Sequence, residues 1–202
     1  MSRQERQDEQ RSGQAHGGGG EAARMQPRHE RIAPEGLDAW RESFRVLQSH
    51  EIWKVYGDFV TSNNPALGPG VKERFEFARS VTDQDAARAN EVRRRARERT
   101  AGVIRPGTIF VLPTSPAIAP LASSTPEQLE AFRVRALRMT SIAGLSGLPQ
   151  VSIPIGTVSG CPAGLSFIGW RGGFEPLLKV LLQIGHLFER RRCRIKFLIR
   201  NV

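Results

Sequence analysis

The sequence predicts an α/β domain behind a disordered tail, and three features carry that prediction. Apolar residues recur at helical spacing before residue 100, and a β-rich apolar run follows Pro106-Gly107. A helix with a complete start signal then separates further strand-like segments. A chain of 202 residues accommodates one domain with a real core and leaves little room for two. Its 39% hydrophobic and 25% charged residues belong to a globular protein, so part of the chain must fold.

Residues 1–34 are polar, mixed in charge and include Gly17-Gly18-Gly19-Gly20, so they bury too little apolar surface to offset the entropy of ordering. They are expected to form a disordered tail. The glycine run lacks the Lys-Ser/Thr of a phosphate-binding loop. From Leu37, residues Trp40, Phe44 and Leu47 recur at spacings of three and four and continue through Val55 and Phe59, predicting an amphipathic helix that Asn63-Asn64-Pro65 ends. After Gly68-Pro69-Gly70 a short helix is expected near Val71 to Ala78. Thr82 with Asp85 then fits an N-cap and an acid in the first turn, opening a longer helix toward Thr100. Three helices therefore precede any strand.

Thr108-Ile109-Phe110-Val111-Leu112 reads as a buried strand. Thr125 as N-cap, Pro126 at the first helical position and Gln128 completing a capping box open the next helix, with Leu129, Phe132, Ala136, Met139 and Ala143 as its buried face. Gly144 to Pro149 breaks it. Gln150 to Ile155 and Ala163 to Ile168 are the next strands, and Pro176 to Phe188 is a final apolar helix. Pro154 suits a strand end or a bulge, where no ladder donor is needed.

The formal charge of +10 raises the question of a nucleic-acid or membrane partner. Half of that excess lies in residues 189–202, which carry six basic residues against one acid. Arg93, Arg94, Arg95, Arg97 and Arg99 form a second cluster, interrupted by Glu91 and Glu98, and read as a solvated helix face. Few aromatics interleave with these charges, so nucleic acid is not the expected partner. Cys161 and Cys193 lack metal or redox spacing, no apolar leader is visible, and no apolar run approaches the roughly 20 residues that span a bilayer. A cytoplasmic protein without metal or cofactor is the expectation, with no membrane span.

Three segments then carry a family resemblance. Val111-Leu112-Pro113-Thr114-Ser115-Pro116, Thr140 to Gly147 running into Leu148-Pro149-Gln150-Val151-Ser152-Ile153-Pro154-Ile155-Gly156, and Pro162-Ala163-Gly164-Leu165-Ser166-Phe167-Ile168-Gly169 resemble, in order and spacing, the C-terminal region of amidase-signature enzymes. The nearest type is the short bacterial and plant amidases, including indole-acetamide hydrolases. The resemblance implies a partial amidase-signature domain over 35–188, with helices in 37–100 and an α/β core in 108–188. Its mixed central sheet would be flanked by helices, and a basic tail would follow at 189–202. A Pro-Thr-x-Pro segment after a strand leaves the sheet on a stiff extended path, because each proline fixes its own φ and biases its predecessor away from helix. Such a path suits a pocket wall. Thr114, Ser115, Pro116, Thr140, Gly144 and Gly147 are accordingly the candidate substrate-pocket residues. Read without the resemblance, the same residues are punctuation in an α/β sheet.

The family, as the resemblance implies, hydrolyses amides with a serine nucleophile, a second serine in a cis peptide and a lysine, around a Gly-Gly-Ser-Ser-Gly-Gly type segment. No such segment occurs here, and Ser123-Ser124 fits a helix entry. Gly144-Leu145-Ser146-Gly147 and Gly164-Leu165-Ser166-Phe167 each miss the Gly-x-Ser-x-Gly elbow, and His50-Glu51 lacks a second zinc-binding histidine. No catalytic residue is assigned. Both ends depart from the family pattern and are read as products of truncation or an altered frame.

The expectation is a family scaffold that is inactive alone, exposes apolar surface and is marginally stable. A small amide would be its substrate if an N-terminal half completed the site, as a complementing chain or within a homo-oligomer. The alternative is a non-catalytic basic module that binds nucleic acid or anionic membrane.

Overall fold

The computed structural model describes residues 27–191, with side chains described as far as residue 184. Most of the expected tail, residues 1–26, and most of the basic tail, residues 192–202, lie outside the described residues. The chain divides into two units, 1–31 and 32–202. Of the first, residues 27–31 are exposed and have no regular secondary structure. The second begins with Ile32 and Ala33, which are buried in the main core. The packed unit thus starts inside the stretch assigned to the tail, because two small apolar residues dock where the polar composition around them hides them.

Helix α1 (Asp38–Asn63) ends at Asn64, whose left-handed φ of 40° closes the last turn on the carbonyl of Val60. Helix α2 (Lys72–Ser80) follows the Gly68–Gly70 turn. Helix α3 (Asp83–Val103) opens at the expected N-cap, and the acid expected in its first turn closes a capping box: the Asp85 amide donates to Thr82 Oγ1, and the Thr82 amide donates to the Asp85 carboxylate. These bonds satisfy two of the amides that every helix start leaves unpaired.

The Thr82 side-chain bond and Arg88 hold the Asp85 carboxyl down at about 2, against an ordinary 3.8. A depressed carboxylate stabilises the fold above its unfolded value and loses that contribution as pH falls through the folded one. The cap should therefore act fully above pH 3.8 and fade toward pH 2. Asp85→Asn should remove this part of the acid sensitivity, read as melting temperature against pH. An unchanged acid limb would rule the cap out as its source.

Strand β1 (Phe110–Pro113), helix α4 (Pro126–Ser146), strands β2 (Gln150–Val158) and β3 (Cys161–Ile168), and helix α5 (Phe174–Arg191) complete the described chain. Thr125 and Gln128 make the expected capping box. The sheet has the order β1-β3-β2, and both pairings are antiparallel. The parallel pairing that a mixed sheet implies does not occur among the described residues.

Ser159 and Gly160, both at positive φ, make the tight turn between β2 and β3. Strand β3 therefore starts at Cys161, two residues before its expected start. Pro154 sits at a bulge, as its missing amide requires: the register shifts by one residue between Pro154 and Gly156.

Alternate side chains of a strand face opposite ways. Phe110, Leu112 and Ile168 turn one sheet face to α1, α3 and α4, where Trp40, Leu47, Ala96, Ile142 and Leu145 complete the main core. Val151, Ile153, Leu165 and Phe167 turn the other face to α5, packing on Leu177 and Leu181. Three expectations of burial are corrected. Val55 and Phe59 on α1 are exposed, because the buried part of that helix is confined to Trp40, Ser43, Leu47 and Gly57. Leu129 is exposed, because α4 is buried at its C-terminal end, over residues 141–146. Val111 is exposed because β1 is an edge strand. Tyr56, Phe174, Leu178 and Leu182 are exposed as well.

Candidate functional site

Antiparallel pairing with β3 carries β1 into Thr114, whose amide donates to the Gly164 carbonyl at 3.0 Å. Glycine at 164 eases this approach, since a Cβ there would lie 3.0 Å from Thr114 Oγ1 and 3.2 Å from the Ile153 carbonyl, both tight contacts. The Thr114 side chain can therefore cross to Ser166, with its Oγ1 3.1 Å from Ser166 Oγ. Ser152 lies opposite Ser166 in the ladder, and their hydroxyls are 2.7 Å apart. Gln150, two residues away on the same face, donates Nε2 to Ser166 Oγ at 3.0 Å.

A patch of four polar side chains thus crosses all three strands and centres on Ser166, which is fully buried. A hydroxyl offers one donor and two acceptor sites. Gln150 fills one acceptor site, so of Thr114 and Ser152 one donates to Ser166 and the other accepts from it. Ser166 is saturated.

An activated nucleophile needs a base within hydrogen-bond reach. None of Thr114, Ser152 and Ser166 has a lysine, histidine or carboxylate among its hydrogen-bond partners within the described residues. The described lysines lie on helix surfaces, where Lys54 pairs with Asp83, Lys72 with Glu76 and Lys179 with Glu175. The patch thus gathers hydroxyl and amide hydrogen-bonding groups with no base bonded to them among the described residues.

The six candidate residues fall into two groups. Thr114 belongs to the patch, and Ser115 and Pro116 follow it directly. Ser115 Oγ donates to the Ala117 carbonyl at 2.7 Å and so ties its own turn. Thr140, Gly144 and Gly147 lie on or just beyond α4 and make no hydrogen bond to the patch. Thr140 is exposed and bonds back to the Ala136 carbonyl, one turn earlier. Gly144 allows α1 to approach, since a Cβ there would lie 2.6 Å from Phe44 Cε2. Gly147, with φ at 67°, is the left-handed residue that ends α4 on the carbonyl of Ala143.

Gln150, Ser152 and Ser166 are not among the six candidate pocket residues. Their signal was available: polar residues at every second position between Val151 and Ile153, and between Leu165 and Phe167.

The arginine row of α3 is also less solvated than its sequence suggests. Arg94 pairs with Glu91 and Glu98 on the surface. Arg93 instead donates to the Leu145 carbonyl and Arg99 to the Ile32 carbonyl. Helix packing consumes part of the row because α3 packs against both α1 and α4. Among the described residues no helix is long and apolar enough to cross a membrane, and no three His, Cys, Asp or Glu gather as a metal site would need.

No protein-family model matches the sequence. Curated relatives do: the chain is 33% identical over 145 residues to Amidase 1 of Arabidopsis thaliana, which covers 72% of this chain and 34% of the relative. It is 32% identical over 134 residues to outer envelope protein 64, chloroplastic, of the same plant, covering 66% of this chain and 23% of that protein. The fold matches the crystal structure of a bacterial aryl acylamidase of the amidase-signature enzymes. That match has a TM-score of 0.56 and 17% identity, over 71% of this chain and 32% of the other. The class is therefore a helix-and-sheet segment of amidase type. The chain belongs to the amidase-signature family, and it spans 34% and 23% of the length of these two curated relatives.

Proposed function

We propose that this chain supplies sheet scaffold and substrate-pocket wall to an amidase-signature hydrolase of carbon-nitrogen bonds, and that the cleaving residues are not among its 202. The observation that carries the reading is the hydroxyl patch on Ser166: three hydroxyls and one amide meet there with no base among them. Identity to Amidase 1 supports the reaction class. Thr114, followed by the stiff Ser115-Pro116 turn, would present hydrogen bonds to a small amide held by serine-lysine machinery on a complementing segment or chain. Ser115 and Pro116 shape that wall, while Thr140, Gly144 and Gly147 fix the helix beneath it.

The purified 202-residue polypeptide should hydrolyse amides no faster than buffer. Loss of an activated serine costs on the order of a millionfold in kcat, so the deficit against a complete family member is large. The assay is release of amine from an aryl or indole amide, with a serine-directed inhibitor as control. Inhibitor-sensitive turnover by this polypeptide alone would overturn the proposal.

A further inference from the structure

The C-terminal end of α4 gathers three guanidinium groups from two other parts of the chain. Arg93 and Arg97 lie one turn apart on α3, and Arg171 follows β3. Arg93 Nε donates to the Leu145 carbonyl at 3.3 Å, and Arg171 Nη2 donates to the Ser146 carbonyl at 2.7 Å. These two cations occupy carbonyls that a helix end leaves unpaired, and each suits the partial negative charge there. Arg97 has no such role. Its Nε is buried with no hydrogen-bond partner, and the Oγ of fully buried Ser146 is likewise unpartnered.

Arg97 and Arg171 nevertheless flank one point. A Cβ on Gly147 would lie 3.6 Å from Arg97 Nη2 and 3.8 Å from Arg171 Nη2. No ion pair joins Arg93, Arg97 or Arg171 to a carboxylate among the described residues, although carboxylates elsewhere on α3 are paired with Arg88, Arg94 and Arg95. Glu51 lines a groove with Arg93 and makes no ion pair with it. Three like charges thus face a helix end worth about half a unit of negative charge. Burial, and then the guanidiniums of Arg93 and Arg171, push Arg97 below the ordinary arginine value.

From this geometry we infer that Arg97, with Arg93 and Arg171, binds a small tetrahedral oxyanion of the phosphate class beside Gly147. A guanidinium presents its N–H groups as a rigid fork that matches two oxygens of one such group. Arg97 Nη2 and Arg171 Nη2 stand on either side of the point beside Gly147, which carries no side chain to occupy it, and Arg93 adds charge. The site lies at the end of α4, shares no residue with the hydroxyl patch, and does not depend on amide hydrolysis.

Inorganic phosphate titrated calorimetrically into the full 202-residue chain, at fixed ionic strength in sodium chloride, should give saturable one-to-one binding. A phosphomonoester titrated in parallel separates free phosphate from a phosphorylated small molecule as the preferred source. Arg97→Gln should weaken binding at least about tenfold, in line with the strength of charge-assisted bidentate contacts. Arg97→Lys should restore part of it, and Arg95→Gln, on the exposed side of the same helix, should leave it unchanged. Without phosphate, Arg97→Gln should melt at or above the temperature of the parent chain, because like-charge repulsion is relieved; this separates lost binding from failed folding. Absence of saturable binding of either probe would overturn the inference, as would equal losses in Arg95→Gln and Arg97→Gln.

Discussion

Trp40→Ala is expected to remove about 3–5 kcal/mol of stability, the usual range for emptying a buried tryptophan site. Trp40 is 2% exposed and belongs to the core that also contains Ile32, Ala33, Leu47, Ala96 and Ile142. Its indole Nε1 donates to Glu35 at 2.9 Å, so the side chain joins the entry segment to the helical layer. Domains of this size hold roughly 5–15 kcal/mol in total, so the variant should lie at the edge of folding. Urea denaturation gives the measurement, and Trp40→Phe is the control. The phenylalanine keeps most of the apolar area and loses the indole hydrogen bond, which is worth about 1 kcal/mol. A loss below about 1 kcal/mol for the alanine variant would mean that this layer is not the core on which the sheet depends.

What the sequence disclosed divides along the range of the forces involved. The capping box of Thr125 with Gln128, and the N-cap Thr82 with the first-turn acid Asp85, are legible because each closes within four residues. The end of α1 at Asn64 was legible for the same reason. Burial was harder to read. Val55 and Phe59 continue the helical spacing of Trp40 and Leu47, yet they are exposed, because periodicity defines a face and only a neighbouring element can cover it. Val111 sits in an apolar run that suggests a central strand, and strand order alone makes it an edge.

The candidate site shows the same division. Thr114 was found through the prolines around it. Ser152 and Ser166 meet only because of long-range register. The turn at Ser159-Gly160 pairs Val158 with Cys161, and continuing that register unchanged would set Ser152 opposite Phe167. The one-residue bulge between Pro154 and Gly156 moves it opposite Ser166. A slip of one residue turns a strand's side chains to the other face, so the bulge determines whether the patch exists. Pro154 was legible as a residue that tolerates a bulge; its effect on the partner of Ser152 needed the fold.

Gly144→Ala tests how tertiary packing competes with local preference at one of the six candidate positions. Helix propensity alone predicts stabilisation by roughly 1 kcal/mol, because alanine replaces glycine inside α4. The structure predicts the opposite sign. The new methyl would lie 2.6 Å from Phe44 Cε2 and 3.2 Å from Cζ, well inside contact distance. Phe44 packs against the main core, so its ring must leave that contact to admit the methyl. Overpacking of this kind costs about 1–3 kcal/mol, so a net loss is expected even after the propensity gain. Phe44→Leu in the same chain should recover most of that loss, with a coupling of at least about 0.5 kcal/mol in a double-mutant cycle. Urea denaturation of the four proteins closes the cycle. Stabilisation by Gly144→Ala, or strict additivity with Phe44→Leu, would show that α1 and α4 do not meet at this glycine.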